Sequence, residues 1–368
     1  DHALAEAACS VRCFVHLAEL GLPFPTNRYG EYIGYKTDHD PKARATSIGP
    51  LTSMAMTQAL ETQAQRRGIP LLDNSRLVRL LTQDGRCFGA LFCATAAAQE
   101  PFSVVLADFV ICATGGPAGI YASSAYPASQ SGASGVIFAA GAAGKNLTEW
   151  QYGLASVKPR WNVSGTYMQA LPRLISTDAA GNDAREFLSD YLPPTAVPDT
   201  VFLKGYQWPF DTAKLNGGSS LVDLAVYMET TRKGRRVFLD FTQNPTGLDA
   251  RFSALSEPAY TYLQKAGALF GTPYERLVHM NAPAVAFYRE KGVDLRTQML
   301  EIALCAQHNN GGVAGNEWWE SEINRLFPIG EVNGSHGVYR PGGTALNAGQ
   351  VGGLRAAQYI VHHDAPSV

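Results

Sequence analysis

Apolar residues recur at helical spacing in the first part of the chain. Leu4, Ala8, Val11 and Val15 begin a stripe that predicts a helix over residues 1–22, because positions three and four apart share one helix face. The same periodicity predicts further helices over 52–67, 132–143 and 345–361. Runs of strand-forming residues predict strands over 69–72, 76–82, 87–94, 104–113, 237–241 and 326–329, with Asp84-Gly85 as a hairpin turn. This mixture of elements predicts an α/β protein.

The amino-acid composition changes in the middle part of the sequence. Between about residues 153 and 304, prolines cluster with tryptophans and tyrosines, which is typical of long surface loops. Glycine-rich segments return after that part, and the chain continues into the predicted helix over 345–361. We therefore predict a second domain over 153–304, inserted into a discontinuous first domain over 1–152 and 305–368.

Charge and composition exclude several classes of protein. The 30 Lys and Arg against 32 Asp and Glu leave a formal charge of -2, which argues against a nucleic-acid partner. Six cysteines in 368 residues are too few for a disulfide scaffold. Membrane spans need about 18 uninterrupted apolar residues, and the sequence contains no such run. We predict a soluble protein without a transmembrane segment and assign it to the cytoplasm.

Glycine is the outlier of the composition, with 36 residues, and the densest glycine segment carries candidate chemistry. The apolar residues 326–329 predict a strand that leads directly to Gly330 and Glu331. A glycine loop with His336 and Arg340 then leads into a helix, an arrangement that presents backbone N–H groups and a positive dipole end to an anion. The alternative is an ordinary glycine-rich connection without a ligand. The side chains of Glu331, His336 and Arg340 in the same loop favour a binding site.

Two other segments pair glycines with polar side chains. The predicted strand over 104–113 runs into Thr114, Gly115 and Gly116, which permits a ligand to approach the backbone. The segment 307–312, QHNNGG, places an imidazole and amides beside a glycine turn, where they are able to bind a carboxylate or a carbonyl. For the Thr114–Gly116 segment, the alternative is a turn that serves packing only. For the segment 307–312, the alternative is a histidine that forms structural hydrogen bonds.

The order of these segments resembles one family. VICATGGPAGIYASS, AAGAAGKNLTEWQY, QHNNGG and LFPIGEVNGSHGVYRPGGTAL follow the pattern of the fumarate reductase/succinate dehydrogenase flavoprotein family, which includes L-aspartate oxidase and other FAD-dependent oxidoreductases. The early segment HLAELGLPF is also similar to a helix of that family. The resemblance spans nearly the whole chain and is sharpest in its last 65 or so residues.

The resemblance implies a Rossmann-like FAD-binding domain over 1–152 and 305–368 and an α+β capping domain over 153–304. It implies that FAD contacts Thr114, Gly115, Gly116, Glu331, Gly343, Thr344, Ala345 and Leu346. The helix N-terminus at Thr344 would stabilise negative charge on the reduced flavin. His308 matches the substrate-binding histidine of the family, and Arg340 matches its carboxylate-binding arginine, whose planar fork suits that anion.

Three features depart from the family pattern. The G-x-G-x-x-G of a first βαβ unit is absent near the start, so that unit either precedes Asp1 in a longer protein or comes from a separate subunit. Gly153 stands where the family has a substrate histidine. The capping domain of the family carries Thr-Glu and an arginine that donates a proton. This chain has neither at the matching positions, which leaves Arg160 and Arg173 as candidate substitutes for the arginine.

The resemblance therefore implies an FAD-dependent oxidoreductase. In that interpretation, a hydride passes between flavin N5 and a carbon of a small, anionic or carbonyl-bearing substrate, while Arg340 binds its anionic group and His308 orients or polarises the neighbouring group. An electron-transfer partner or a further subunit is implied as well. The alternative is a non-catalytic scaffold or partner subunit that completes a flavin site in a complex.

Overall fold

The computed structural model describes residues 1–37, 40–96, 100–127, 130, 132–340 and 343–363. Its α-helices are α1 (His2–Glu19), α2 (Thr52–Arg66), α3 (Ser134–Ala139), α4 (Thr166–Gln169), α5 (Val197–Tyr206), α6 (Ser220–Tyr227), α7 (Glu257–Lys265), α8 (Pro273–Glu290) and α9 (Thr344–His363). Its strands are β1 (Tyr35–Thr37), β2 (Asp40–Ala45), β3 (Ser75–Gln83), β4 (Arg86–Ala94), β5 (Phe102–Leu106), β6 (Val110–Cys112), β7 (Gly144–Lys145), β8 (Trp150–Ser156), β9 (Trp161–Asn162), β10 (Arg173–Thr177), β11 (Arg185–Glu186), β12 (Arg236–Asp240), β13 (Leu300–Asn309), β14 (Gly312–Val313) and β15 (Leu326–Pro328). The mixed helix and strand content agrees with the predicted class.

The chain forms two compact units. The first unit consists of Asp1–Ile120, Gln130–Trp150 and His308–Val368, and the second of Tyr121–Ser129 and Gln151–Gln307. The segment Tyr121–Ser129 thus groups with the middle part of the chain, although the sequence assigned it to the first domain. The cofactor-binding and capping roles of the two predicted domains stay predictions.

In the first unit, a pair of parallel strands directs two glycine loops to the same edge. β6 and β15 are parallel, with Val110 opposite Leu326 and Cys112 opposite Pro328. Because parallel strands share the direction of their carboxyl ends, the loops that follow Cys112 and Pro328 leave the sheet together. The Thr114–Gly116 turn and the Gly330-Glu331 turn, which lie far apart in the sequence, are therefore neighbours in space.

The second unit is built on a six-stranded sheet with the strand order β11-β10-β12-β13-β8-β9. Alternating apolar residues of this sheet pack against the helices of the unit and form the largest core cluster of the described residues. Its fully or almost fully buried members include Leu154, Met168, Leu174, Phe187, Val237, Leu239, Leu277, Tyr288, Leu300 and Ile302. α8 begins with a capping box between Thr272 and Glu275, and it kinks at Asn281, two residues before Pro283.

Most predicted elements agree with the structure, and two predictions are wrong. The residues 69–72 form no strand. The buried strand predicted over 104–113 is instead two strands, β5 and β6, separated by a turn that includes Asp108, and every residue of β5 is exposed. The polar Asp108 marks this break, because a charged side chain inside a buried strand requires a partner. No helix among the described residues combines the length and the apolar character that crossing a membrane requires.

Candidate functional site

Glu331 connects the two glycine loops of the first unit. Its Oε1 accepts a hydrogen bond of 3.0 Å from the backbone N–H of Asn309, and its carboxylate also accepts one from the N–H of Gly116. A Cβ at position 116 would lie 2.2 Å from Glu331 Oε1, so only glycine leaves room for the carboxylate there. Gly116 is thus required for a close approach to a side chain, in addition to any role toward a ligand.

His308 lies at the end of β13, next to this carboxylate. Its Nδ1 is 3.1 Å from Oδ1 of Asn310, and its Nε2 is 3.9 Å from Oε1 of Glu331. The ring of His336 packs against it edge-on, with 5.0 Å between the ring centroids. His308 is 4% exposed, so its polar atoms depend on protein or ligand partners rather than on bulk water.

Arg340 completes the group. It is 7% exposed, and its charge acts on both His308 and Glu331. The structure therefore brings together four of the sequence-predicted site residues, namely Gly116, His308, Glu331 and Arg340. His336, which the sequence placed in the same loop, joins them through its ring contact.

Burial dominates the electrostatics of this cluster. It raises the pKa of Glu331 to about 7 and lowers the pKa of His336 to about 4. Burial, followed by the nearby charge of Arg340, also holds the pKa of His308 well below its usual value. Burial lowers the pKa of Arg340 to about 10, which still leaves a cation at neutral pH. The site thus combines one permanent cation with two neutral imidazoles and a carboxyl group that titrates near neutrality.

The titration of Glu331 predicts a stability change that can be measured. Because folding raises its pKa from 4.5 to about 7, the native state binds more protons than the unfolded state between these values, and stability falls as pH rises through them. Relative to Glu331→Gln, the wild-type protein is expected to lose about 2–3 kcal/mol of unfolding free energy between about pH 4.5 and about pH 7. Urea unfolding at several pH values measures the difference.

The matched control is Glu317→Gln, which changes an exposed carboxylate of the same unit. Its curve should run parallel to that of the wild-type protein. If the Glu331→Gln curve runs parallel as well, the raised pKa is wrong.

Three further predicted residues lie around a cavity at the start of α9. Gly343, Thr344 and Leu346 contribute to its wall, together with residues of α1, the segment 22–35, β2 and α2. Its volume is about 670 Å³, within the range of roughly 300–1,000 Å³ that is typical of small-molecule sites. Ala345 belongs to the same helix turn, whereas Pro341 and Gly342, which connect it to Arg340, lie outside the described residues.

Thr114 and Gly115 precede Gly116 in the turn after β6. Within the described residues, the Thr114 hydroxyl is buried and has no hydrogen-bond partner. Gly115 has a φ of +72°, a backbone conformation that glycine adopts without strain. A buried hydroxyl without a partner at a glycine turn is the kind of group that a bound ligand satisfies.

The second unit shows what surrounds Gly153, the position at which the resemblance places a histidine. A Cβ at Gly153 would lie 2.5 Å from Gln307 Oε1 and 2.8 Å from Trp208 Nε1, so these two side chains fill the space where a larger residue would lie. Gln307 Nε2 donates a hydrogen bond of 3.3 Å to the carbonyl of Leu154. The sequence singled out Gln307 only as part of QHNNGG, and no sequence signal connected it or Trp208 to Gly153.

Both candidate proton donors are engaged in structural contacts within the second unit. Arg173 lies at the start of β10 and pairs with Asp240 and, at 3.7 Å, with Glu186. Arg160 donates to the carbonyls of Tyr126 and Ala122 at 3.3 and 3.4 Å. Among the described residues, no group of three or more His, Cys, Asp or Glu is placed to hold a metal ion.

Comparison with known families gives a match over almost the entire chain. A family model described as "FAD binding domain" matches residues 3–346. L-aspartate oxidase of Bacillus subtilis is 24% identical over 363 residues, which cover 94% of this chain and 55% of the relative. A fumarate reductase (CoM/CoB) subunit of Methanothermobacter marburgensis is 44% identical over 70 residues, which cover 19% of this chain and 13% of that protein.

Solved structures support the same fold. A mutated quinol fumarate reductase of E. coli superposes with a TM-score of 0.66 at 19% identity, over 99% of this chain and 57% of that chain. The open conformation of a flavocytochrome c3 fumarate reductase superposes with a TM-score of 0.62 at 17% identity, over 98% of this chain and 63% of that chain. The chain thus spans a little over half the length of the relatives that it matches from end to end.

Proposed function

We propose, from the premise that this chain belongs to the FAD-binding domain family, that it forms the cofactor-binding and substrate-binding part of an FAD-dependent oxidoreductase acting on a small anionic substrate. Bound FAD supplies two-electron hydride chemistry at its N5 atom. The observation that carries the proposal is the convergence of Arg340, His308 and Gly116 on Glu331, although these residues lie on separate segments of the sequence.

The residues present fit the proposed cofactor. Gly343, Thr344, Ala345 and Leu346 form the N-terminal turn of α9, and three of them line the cavity of about 670 Å³. The positive end of this 20-residue helix favours negative charge, such as that of a reduced flavin ring. The buried Thr114 hydroxyl, which has no partner among the described residues, offers a further contact. We assign Thr114, Gly115, Gly116 and Glu331 to the same cofactor.

The proposed binding of an anionic substrate rests on Arg340. A buried guanidinium pairs with a carboxylate through two parallel hydrogen bonds, and little bulk water competes for them. We assign to Arg340 the binding of the anionic group of the substrate and to His308 a contact with the adjacent polar group. Gln307 and Trp208 occupy the space beside Gly153, so the contact that a histidine makes there in the family is absent.

The finer architecture is also part of the proposal. We assign the second unit to the capping domain and propose that a βαβ unit with a phosphate-binding loop completes the FAD site, either upstream in the same protein or in a partner subunit. The parallel pair β6–β15 supports this, because parallel sheets are normally larger and covered on both faces, whereas Ile111 of β6 is 44% exposed. An electron-transfer partner and a cytoplasmic location stay predictions.

Binding of FAD to the protein, with the proposed βαβ unit present upstream or as the partner subunit, tests the function. After incubation with FAD and removal of the free cofactor, we expect flavin absorbance to remain with the protein. Gly116→Ala should lower FAD affinity by about tenfold, because the added Cβ displaces the Glu331 side chain. Gly135→Ala is the matched control, since a Cβ at that position meets open space. A wild-type protein that retains no flavin, although the βαβ unit is present upstream or in the partner subunit, contradicts the proposal and favours the non-catalytic scaffold.

A further inference from the structure

Three buried polar atoms lie close together where α1 meets the loop before Arg340. They are Glu6 Oε1, Ser335 Oγ and His336 Nε2, and none of them has a hydrogen-bond partner among the described residues. The Ser335 hydroxyl lies near enough to the Glu6 carboxyl to act on its pKa, and His336 directly follows Ser335 in the chain. Buried polar atoms of this kind normally contact ordered water or a bound group. We call these three side chains the Glu6 cluster.

The Glu6 cluster connects to the candidate site through His336. The ring of His336 packs edge-on against that of His308, with 5.0 Å between the ring centroids. His308 Nε2 is also buried without a hydrogen-bond partner within the described part of the chain, and it lies 3.9 Å from Glu331 Oε1. A single water molecule bridges two polar atoms at such a separation. Carboxyl, hydroxyl and imidazole groups thus follow one another from α1 to the buried carboxyl of Glu331.

Each member of the Glu6 cluster is able both to accept and to release a proton. Burial raises the pKa of Glu6 to about 6, so its ionised and protonated forms coexist near neutral pH. Burial, Arg340 and His2 lower the pKa of His336 to about 4, which keeps the ring neutral, with one nitrogen that accepts and one that donates. The Ser335 hydroxyl between them also donates and accepts.

His2 lies on the same face of α1 as Glu6, but structural contacts engage both of its ring nitrogens. Its Nδ1 is 3.2 Å from Lys145 Nζ, and its Nε2 is 2.7 Å from the carbonyl oxygen of Asn316. Burial, followed by the charge of Lys145, lowers the pKa of His2. Because neither nitrogen of His2 is available, Glu6 is the group of α1 that is placed to exchange a proton with Ser335.

The proposed reaction needs such an exchange. Each hydride transferred is accompanied by one proton, which the substrate releases on oxidation and takes up on reduction. Arg160 and Arg173, the two arginines that the sequence offered as proton donors, form structural contacts within the second unit. Since His308 and Arg340 are buried, the proton requires a path through the protein to water.

We propose that the Glu6 cluster is a proton path between water and the buried carboxyl of Glu331, with Glu6 as the group that exchanges protons with water. Glu6 is partly exposed, and Ala7 beside it is exposed. A proton that binds the Glu6 carboxylate passes to Ser335 as the Ser335 hydroxyl releases its own proton to His336, whose other nitrogen releases one toward His308. Only O–H and N–H bonds form and break, and no electrons are transferred. The inference rests on the proposed function, since it specifies how protons reach the same site.

Exchange of histidine ring N–H protons with water measures the path without cofactor or substrate. In the full protein labelled with ¹⁵N-histidine, the signals of His336 and His308 are assigned by their loss in His336→Phe and His308→Phe. Glu6→Gln should slow the exchange of both rings at least about tenfold at neutral pH, because acid–base catalysis by the carboxyl is lost. Ser335→Ala should slow it similarly, whereas Ser335→Thr keeps the hydroxyl and should exchange as the wild-type protein does.

The pH dependence separates a proton path from a structural role. In the wild-type protein, the exchange rate of His336 should rise as Glu6 ionises, with a midpoint near pH 6, because the carboxylate is the base that accepts the proton. Glu6→Gln should lack this midpoint, and Glu6→Asp should retain it. Glu317→Gln, at an exposed carboxylate of the same unit, should change neither the rate nor the midpoint.

Unchanged exchange in Glu6→Gln or in Ser335→Ala, or the same midpoint in Glu6→Gln as in the wild-type protein, would overturn the proposal. If Glu6→Gln does not fold, Ser335→Ala decides the outcome by itself. Flavin absorbance reports on the proposed function, whereas the exchange rates report on the path. A protein that retains no FAD but shows the expected exchange contradicts the function alone. A protein that retains FAD and exchanges independently of Glu6 contradicts the path alone.

Discussion

Arg340→Ala is expected to weaken the binding of both succinate and L-malate by about 100-fold while flavin absorbance stays with the protein. A charge-assisted hydrogen bond contributes about 1.5–3 kcal/mol, and a bidentate pair with a buried guanidinium lies at the upper end of that range. Because the guanidinium binds the group that both acids share, the two affinities should fall together. Isothermal titration of the protein loaded with FAD measures both affinities.

The experiment must distinguish a loss of ligand affinity from a loss of folding, because Arg340 is 7% exposed and interacts with Glu331. Arg340→Lys keeps the positive charge but loses the planar fork, and it should bind both acids with intermediate affinity. Arg66→Ala, on the exposed surface of α2, is the control and should change neither affinity. If Arg340→Ala binds both acids as the wild-type protein does, Arg340 does not contact the substrate.

Lys204→Met is expected to destabilise the second unit by about 3–5 kcal/mol. Lys204 on α5 and Asp223 on α6 form an ion pair with 2.5 Å between Nζ and Oδ2, and both side chains are fully buried. Burial raises the pKa of Asp223, and the charge of Lys204 opposes that shift. Removal of the lysine leaves a carboxylate without compensation in the core, which costs far more than the pair itself contributes.

Urea unfolding measures the loss, and a double variant tests its cause. Lys204→Met combined with Asp223→Leu removes both charges and should regain at least about 1 kcal/mol relative to the single variant. Lys265→Met, at an exposed position of α7, should stay within about 0.5 kcal/mol of the wild-type protein. A single variant as stable as the wild-type protein would show that the pair is not buried.

Elements with local start and stop signals were predictable from the sequence. The helix predicted over 52–67 is α2 (Thr52–Arg66), and the turn between β3 and β4 is Asp84-Gly85, with φ of +50° and +74° as the predicted hairpin requires. The strand over 104–113 was predicted wrongly because an apolar run of that length does not show where a chain turns. The exposure of β5 depends on what packs against it, which periodicity does not encode.

The sequence by itself determined the chemical groups of the candidate site: a guanidinium, an imidazole and a carboxylate on glycine-rich turns after predicted strands. It also determined the family, because the order of these segments resembles the flavoproteins whose model the chain matches. Only the tertiary structure decided how the groups act on one another. The parallel pairing of β6 and β15 places Gly116 against Glu331, and the end of β13 places His308 Nε2 3.9 Å from the same carboxylate. Hydrogen bonding and burial depend on which distant segments meet, and no local pattern of residues records that.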